Sequence, residues 1–276
     1  MKYVVVTGAY GGMGYEVIKT LSQNGFTVFA LDKKVKDPEP NVIPIETDMT
    51  DAESVDRAFN KVKEYTEDLY AVIHFAGIYR LDSLVEMSEE RFIGIFDVNL
   101  FGVYRVNKAF LPLLKKKSRV IITTSELAPT DPLPFTGIYA ITKSALEKYA
   151  FSLRMELQLL GISVSVIRPG AVKTGLLSVS TAELENFCKN TKTYTCNAEK
   201  FRKIVERVEA KNVSPEKIAK KTLRALTSRH PKYVYNVNRN PLLLLLNILP
   251  RKWQTEIIGK ILKNGKKTVD NNTENE

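Results

Sequence analysis

The chain has 276 residues, 44% of them hydrophobic, which is enough for one α/β domain with its own core. Its two cysteines, Cys188 and Cys196, exclude the disulfide framework of a small secreted domain. The net charge is +10, and residues 200–276 hold 18 Lys/Arg against 7 Asp/Glu, so the rest of the chain is nearly neutral.

The basic C-terminal third could meet nucleic acid or an anionic membrane, but a solvated basic surface is the favoured interpretation. No interleaving of aromatic and basic residues supports a nucleic-acid partner. His74 and His230 stand alone and neither cysteine has a CxxC spacing, so no metal site is expected. A strand begins at once, and no apolar run reaches the 18 or so residues of a spanning helix. We therefore expect a soluble, cytoplasmic protein.

The first 32 residues predict a strand, a glycine-rich turn, a helix and a second strand. Residues 2–7 form a β-branched run typical of a parallel strand buried on both faces. The helix after the turn ends near Asn24, and the second strand ends in Asp32, 18 residues beyond Gly14. The turn residues expected to contact a ligand are Gly8, Tyr10, Gly11, Gly12, Met13 and Gly14.

This order of elements suits a dinucleotide. Glycines let the backbone approach a pyrophosphate, and the next helix supplies free N–H groups and the positive end of its dipole. A carboxylate at Asp32 can accept both hydroxyls of the adenosine ribose and repels a 2′-phosphate, which favours NAD. Lys33 and Lys34 could soften that preference, so NADP is the alternative. An ordinary tight turn is the competing interpretation of the glycines, and the surrounding elements argue against it.

Strands and helices alternate up to about residue 174, where the pattern loosens, and this alternation predicts a doubly wound parallel sheet in a single domain. Thr50 to Glu53 has the form of a capping box, and one helix is predicted from about Ser88 to Leu114. Another carries Tyr139 and ends near Leu160. The further strands are predicted at residues 42–46, 69–75, 119–124, 162–167 and 233–237.

Polar groups and glycines follow several of these strands, where the ligand of such a sheet should lie. Tyr139 and Lys143 are four residues apart and share one helix face. An ammonium beside a phenol favours the phenolate, so the tyrosine could exchange a proton near neutral pH although its free pKa is about 10. The groups at the strand ends are Gly8–Gly14, Asp32, Asp48, Ala76, Gly77, Ser125, Pro169 and Gly170.

These pieces together resemble the short-chain dehydrogenase/reductase family over roughly residues 1–240. The resemblance implies a Rossmann-type α/β fold and NAD(P)-dependent hydride transfer between a secondary alcohol and a ketone. It also implies a homodimer or homotetramer paired through helices near residues 100–114 and 140–160. The matching motifs are Thr7-Gly8-x-x-x-Gly12-x-Gly14, Asp48, Asp97-Val98-Asn99, Ser125, Tyr139-x-x-x-Lys143 and Pro169-Gly170-x-x-x-Thr174.

The resemblance also assigns roles. Tyr139 would be the general acid/base, and Lys143 would lower its pKa and hold the nicotinamide ribose. Ser125 would donate a hydrogen bond to the developing alkoxide, and Asn99 would hold a water that links Lys143 to solvent. The remaining cofactor contacts implied are Asp48, Met49, Ala76, Gly77, Pro169, Gly170, Val172 and Thr174.

Three positions depart from the family pattern. His74-Phe75 replaces the usual Asn-Asn before Ala76, which removes a polar pair. Ser125 lies 14 residues before Tyr139, where one residue fewer is common, and Glu126 occupies the usual position. Alignment with the strand nevertheless favours Ser125. Tyr10 replaces the small or basic residue often found in the glycine turn.

Residues 175–212 correspond to the lid that covers the substrate in this family. Their apolar side chains could line a pocket for a bulky hydrophobic alcohol or ketone, of the kind used by steroid and retinol dehydrogenases. Packing within the lid is an equal alternative, and a dehydrogenase of small polyols or sugars stays open. The residues proposed to line this pocket are Leu176, Leu177, Val179, Leu184 and Phe187, with Leu133, Phe135 and Ile138 opposite.

The segment 241–264 extends the domain with a leucine run and a basic amphipathic stretch. It could contact a membrane peripherally, but a flap over the substrate or a dimer contact is preferred. Residues 265–276 are polar and predicted to be disordered. A non-catalytic nucleotide-sensing or interaction protein on the same fold is the alternative function. The intact set of Asn99, Ser125, Tyr139 and Lys143 argues against it.

Overall fold

A computed structural model describes residues 2–263, except the side chains of residues 176–178 and 208–209. Seven parallel strands form one sheet in the order β3-β2-β1-β4-β5-β6-β7. The strands are β1 Lys2–Thr7, β2 Phe26–Asp32, β3 Val42–Glu46, β4 Leu69–His74, β5 Leu114–Thr123, β6 Ser163–Pro169 and β7 Val234–Val237. The helices are α1 Gly12–Gln23, α2 Ala52–Lys63, α3 Glu89–Phe96, α4 Gly102–Phe110, α5 Gly137–Leu157, α6 Gly175–Asn190, α7 Thr195–Glu209, α8 Pro215–Thr227, α9 Pro241–Ile248 and α10 Arg251–Leu262.

The central strands are apolar on both faces because helices cover both sides of the sheet. In β1, Val5 packs into the cluster that includes residues of α2, α4 and α5. Its neighbours Val4 and Val6 point the other way, into the cluster formed with α1 and α8. Successive strand residues alternate between faces, so an uninterrupted valine run is what a strand between two helical layers requires. The predicted doubly wound parallel sheet is confirmed.

The strand order places a cleft at the middle of the sheet. The chain passes from β1 outward to β2 and β3, then returns across β1 to β4 on its other side. The loops after β1 and β4 therefore diverge to opposite faces, and such a switch point is where open α/β sheets bind ligands. Phe75 N donates to Thr7 O at 2.9 Å, which holds the ends of these two strands together at the cleft.

The capping box predicted at Thr50 was wrong. Helix α2 is capped by Asp51, whose side chain accepts from Glu53 N at 3.0 Å, whereas Thr50 donates its hydroxyl to Asp48. Aspartate at this position already satisfies the open N–H groups of the first turn. The helix predicted over residues 88–114 is present from Glu89 to Leu113, with a π-helical turn, Asp97–Phe101, between α3 and α4.

The C-terminal region contains the lid helices α6 and α7, then α8, β7 and the pair α9–α10. The strand predicted over residues 233–237 is present as β7. Within residues 2–263, no helix combines the length and apolarity needed to cross a bilayer. The tail predicted to be disordered, 265–276, lies outside the described residues.

A buried polar chain takes the place of the asparagine pair that is usual before Ala76. His74 is 1% exposed, and its Nε2 lies 2.9 Å from Asn107 Oδ1. Asn107 Nδ2 in turn donates to the Tyr149 hydroxyl at 3.1 Å. Burial lowers the pKa of His74 to about 4, although the hydrogen bond to Asn107 acts in the opposite direction. The imidazole is therefore neutral in the folded protein at neutral pH.

We expect His74 to make the fold acid-labile. The unfolded chain binds a proton at His74 near pH 6.5 and the folded protein only near pH 4, so stability is lost as pH falls through this window. Between pH 7 and pH 5 the protonation of His74 alone should lower the free energy of unfolding by about 2 kcal/mol. Urea unfolding of His74→Asn should show a correspondingly smaller loss between these pH values than the wild type. Equal losses in both proteins would contradict the assignment.

Candidate active site

The glycine turn after β1 is held by contacts that leave no room for side chains. Gly8 adopts φ +64°, and a Cβ there would lie 2.4 Å from Ala76 N. A Cβ on Gly14 would lie 2.0 Å from Gly8 O, and one on Gly12 would lie 2.6 Å from Thr174 Cβ. The turn thus packs against the loops after β4 and β6, which brings three predicted parts of the site together.

The N-terminus of α1 is suited to an anion. Gly11 precedes the helix and contributes no side-chain cap, and the first turn holds no acidic residue. In contrast, α2 and α3 are capped by the side chains of Asp51 and Ser88. Open N–H groups and the positive end of the helix dipole favour a phosphate here. The predicted pyrophosphate site therefore fits the residues that are present.

Asp32 lies beside this turn at the end of β2. Its Oδ2 accepts from Tyr10 N at 2.9 Å, which connects the carboxylate to the glycine turn. Lys33 points to a different acid, because its Nζ lies 2.8 Å from Asp48 Oδ2. Burial alone would raise the pKa of Asp48, but hydrogen bonds from Lys33 and Thr50 outweigh it and lower the pKa. Lys33 is thus paired with Asp48 rather than with Asp32.

The tyrosine, lysine and serine predicted as catalytic lie close together near the carboxyl ends of the strands and line one cavity. Tyr139 and Lys143 lie on α5, and Ser125 follows β5, near enough to the Tyr139 phenol to lower its pKa. Lys143 Nζ donates to Thr123 O at 3.2 Å and lies 5.7 Å from the centre of the Tyr139 ring. The ring of Tyr79 packs against Tyr139 at 4.8 Å between centroids. These side chains can therefore act on one substrate atom.

Burial shifts the pKa values of Tyr139 and Lys143 in opposite directions. Burial raises the pKa of Tyr139 to about 12, and the hydrogen bond from Ser125 offsets only part of this shift. Burial likewise lowers the pKa of Lys143 to about 8. Lys143 is not among the groups that shift the pKa of the phenol here, so its lowering of that pKa stays a prediction.

Asn99 lies in the π-helical turn, fully buried. Its Oδ1 accepts from Ile78 N at 2.8 Å, while Nδ2 donates to Ile78 O at 3.0 Å and to Thr142 at 3.2 Å. Asn99 therefore fastens the loop after β4 to α5, behind Lys143. Its participation in a water relay stays a prediction.

The choice of Ser125 over Glu126 agrees with the geometry. Glu126 accepts from Asn240 N at 2.6 Å and has no contact with Tyr139 comparable to the Ser125 hydrogen bond. Burial raises the pKa of the Glu126 carboxyl, partly offset by Asn240 and Arg239. Glu126 also lines the cavity, but its carboxylate accepts a hydrogen bond at the start of α9, and an alkoxide needs a donor rather than an acceptor.

Most of the residues predicted to contact the cofactor from the loops line the cavity, but Met49 does not. Gly77, Pro169, Gly170, Val172 and Thr174 line the same cavity as Tyr139, and Met13 lines it from the glycine turn. Met49 instead packs its buried side chain against Gly102 and accepts from Arg105 through its carbonyl. Its side chain is therefore not available to a ligand, and any contact would involve its backbone.

The cavity has a volume of about 210 Å³ and mostly apolar walls. Of the two interpretations left open for the residues proposed to line it, packing is the one seen: Leu184 and Phe187 pack with Phe135 inside the lid, and Ile138 is buried in another cluster. The structure shows that Leu133 belongs to the wall, while Leu176 and Leu177 have no described side chains. The wall residues not anticipated are Tyr79, Phe201, Ile204, Val205 and Leu243. The helical spacing of 201, 204 and 205 is the signal that could have indicated three of them.

Ion pairs fasten the lid over the cavity. The Glu183 carboxylate of α6 forms ion pairs with Arg80 at 2.7 Å and with Arg91 at 2.8 Å, and its side chain is only 12% exposed. The Glu86 carboxylate accepts from Thr191 and from the backbone just after α6. The lid is thus held closed by groups outside the cavity. Among the described residues, no cluster of His, Cys, Asp and Glu could hold a metal ion.

The fold and the site define an α/β protein built to bind a dinucleotide beside a buried tyrosine. The family model described as short chain dehydrogenase matches residues 2–185. The chain therefore belongs to the short-chain dehydrogenase family, as its motifs had indicated.

Named relatives act on different molecules. Estradiol 17-beta-dehydrogenase 2 of Mus musculus is 38% identical over 189 residues, which are 63% of this chain and 49% of the relative. The chain spans about half the length of that relative and of its rat counterpart. The 3-ketodihydrosphingosine reductase of Bacteroides thetaiotaomicron is 25% identical over 251 residues, 91% of this chain and 92% of the relative.

A solved structure is similar over most of the chain. It is an alcohol dehydrogenase from the archaeon Thermococcus sibiricus, complexed with 5-hydroxy-NADP. The two share 26% identity and a TM-score of 0.70, over 87% of this chain and 97% of the other.

Proposed function

We propose that this chain is an NAD(P)-dependent oxidoreductase that interconverts a secondary alcohol and a ketone. The observation that carries the proposal is the presence of Ser125, Tyr139 and Lys143 together on the wall of a cavity that also reaches the glycine turn through Met13. Family membership and the relatives named as dehydrogenases and reductases support it.

The protein supplies proton transfer and charge stabilisation. In the reducing direction, the Tyr139 hydroxyl gives its proton to the substrate oxygen, and the Ser125 hydroxyl donates a hydrogen bond to the same oxygen as negative charge develops. The Lys143 ammonium stands next to Tyr139 and stabilises the phenolate that remains. A bound nicotinamide provides or accepts the hydride. Oxidation runs the same proton path in reverse.

The walls of the cavity favour a bulky hydrophobic substrate. Phe201, Ile204 and Val205 of the lid face Leu133 and Leu243 across it. A substrate with few polar groups loses little hydration in such a site. The named substrates of the two relatives, an estradiol and a ketodihydrosphingosine, are consistent with this class. A steroid-like or long-chain alcohol is therefore proposed ahead of a small polyol.

We propose NAD as the preferred cofactor, with NADP as the alternative. Asp32 presents a carboxylate beside the glycine turn, and Lys33 is engaged by Asp48. A 2′-phosphate near Asp32 would meet a like charge, which costs affinity.

Asp32→Asn is expected to weaken the preference for NAD. The amide keeps an oxygen for the hydrogen bond from Tyr10 N but removes the charge that repels a 2′-phosphate. The ratio of kcat/KM for NAD over NADP should fall by about tenfold or more. Steady-state kinetics with both cofactors measures the ratio. Asp37→Asn is the control, because Asp37 is an exposed acid on the loop that follows β2. An unchanged ratio in Asp32→Asn would remove this explanation of cofactor choice.

A homodimer or homotetramer is proposed through α4 and α5. Tyr104 on α4 and Ile141, Phe151 and Met155 on α5 are exposed apolar side chains. Exposed apolar patches of this kind mark interaction surfaces. The cytoplasmic location expected from the sequence stays a prediction.

The proposed function is tested by absorbance of the reduced nicotinamide. NAD and NADP are supplied separately with steroid, long-chain and small-polyol alcohols, and the matching ketones are tried with NADH and NADPH. Turnover of the hydrophobic compounds supports the proposal, and turnover of polyols alone would contradict the substrate class. Tight NADH binding without any turnover would favour the nucleotide-sensing alternative.

A further inference from the structure

The two C-terminal helices direct polar side chains inward. Asn247 of α9 accepts from Asp131 N at 2.6 Å. Gln254 of α10 is 8% exposed, and its Nε2 donates to Asp131 Oδ2 at 3.1 Å and to Leu249 O at 2.9 Å. Arg251 adds an ion pair to the same aspartate at 3.1 Å. Hydrogen bonds therefore fasten this helix pair to the loop around Asp131.

The outward faces are apolar instead. None of the residues of α9 is buried, although the helix is mainly leucine. The outward residues recur at three-residue spacing in α9 and at four-residue spacing in α10, so each helix presents a stripe. Their exposure ranges from 37% to 78%. The residues are Leu242, Leu245 and Ile248 in α9, and Trp253, Ile257 and Ile261 in α10.

We propose that these two stripes dock on an anionic lipid surface. Basic residues accompany the apolar ones: Arg251, Lys252, Lys260 and Lys263 are exposed, against the single acid Glu256 over residues 251–263. A second copy of the chain would bring like charges together on such a face, whereas anionic headgroups complement them. Helices of 8 and 12 residues are too short to span a bilayer and suit its interfacial plane.

The docking face is continuous with the active-site cavity. Leu243, between the exposed residues Leu242 and Leu245, lines that cavity. A groove of about 730 Å³ lies between the helix pair and the loop 131–137, and Leu133 belongs to the walls of both spaces. A lipid-dissolved substrate would thus have a short apolar path to Tyr139. This consequence rests on the proposed function, whereas the docking itself does not.

Trp253 provides a direct test, because it is the only tryptophan in the chain. Purified full-length protein is mixed with vesicles of phosphatidylcholine alone or with about one third phosphatidylserine. On the anionic vesicles, the Trp253 emission should shift to the blue and the protein should float with the vesicles. Phosphatidylcholine alone should bind clearly less. An unchanged spectrum with no flotation on either vesicle overturns the proposal, and equal binding to both overturns its electrostatic part.

Variants separate lipid docking from other causes. Leu245→Asp should lower partition onto anionic vesicles by about tenfold or more. Lys252→Gln and Lys260→Gln each remove one positive charge, and each should lower the partition onto anionic vesicles by about fivefold. Leu159→Asp is the matched control, since Leu159 is 83% exposed at the end of α5, and it should bind like the wild type. Equal losses in Leu245→Asp and Leu159→Asp would contradict a specific docking face.

Light scattering without vesicles tests whether a second copy of the chain covers the apolar stripes of α9 and α10. A dimer that Leu245→Asp dissociates would overturn the lipid assignment, because the stripe would then be a protein interface. An unchanged oligomeric state in that variant, together with lost vesicle binding, supports it. Neither readout depends on turnover, so failure of docking and failure of the oxidoreductase proposal are distinguishable.

Discussion

Tyr139→Phe is expected to reduce kcat by roughly 10²–10⁴-fold while the protein stays folded and binds NADH. The variant loses the only atom of this side chain that can exchange a proton, while the Ser125 hydroxyl still accepts from Leu127 N. The ring still fills its place against Tyr79, so the cavity keeps its shape. The loss should therefore appear in kcat far more than in cofactor affinity.

The measurement is steady-state turnover with the best substrate of the panel, beside a fluorescence titration with NADH. Tyr149→Phe is the control on the same helix, because it removes a hydroxyl bonded to Asn107, outside the cavity. It should retain most of the wild-type kcat. If Tyr139→Phe turned over at the wild-type rate, another group would have to transfer the proton.

Gly14→Ala should remove cofactor binding and destabilise the fold. The new Cβ would lie 2.0 Å from Gly8 O and 2.9 Å from Gly8 C, which are backbone atoms that cannot rotate away. Either the turn or the start of α1 must move, so the open N–H groups lose their arrangement. Overpacking of this severity should cost roughly 2–4 kcal/mol.

Gly94→Ala is the matched control in α3. It lies inside a helix like Gly14, but nothing lies within 4 Å of its added Cβ. Alanine there should stabilise the protein by about 0.5–1 kcal/mol, because glycine is the poorer helix former. Urea unfolding measures both variants, and NADH titration measures binding. Equal stability of Gly14→Ala and Gly94→Ala would show that the turn tolerates a side chain.

Much of the fold could be predicted because its elements carry local signals. The valine run of β1 and the apolar run ending in Asp32 are required by burial on both faces of a parallel sheet. The glycines between them are equally local, since a turn that touches the loops after β4 and β6 admits no Cβ. Sequence reasoning also selected Ser125 over Glu126 by its place at the end of β5.

The sequence did not predict a side chain's position where contacts with residues distant in the sequence determine it. Leu184 and Phe187 could line a pocket or pack a lid, and only the position of Phe135 against them decides for packing. The wall contributed by Phe201 and Leu243 depends on how α7 and α9 fold over the cavity. Helix α9 has one face toward the cavity and one toward solvent, so the choice between a flap, an interface and a membrane contact for residues 241–264 stays a prediction.

The sequence by itself determined the order of strands and helices, the glycine turn, and the pairing of Tyr139 with Lys143 on one helix face. These follow from backbone sterics and from the helical and strand periods, which act between neighbouring residues. Only the tertiary structure decided the proton affinities of Tyr139 and Lys143 and the walls of the cavity. Loss of hydration depends on every element packed around a group, and no spacing along the chain records it.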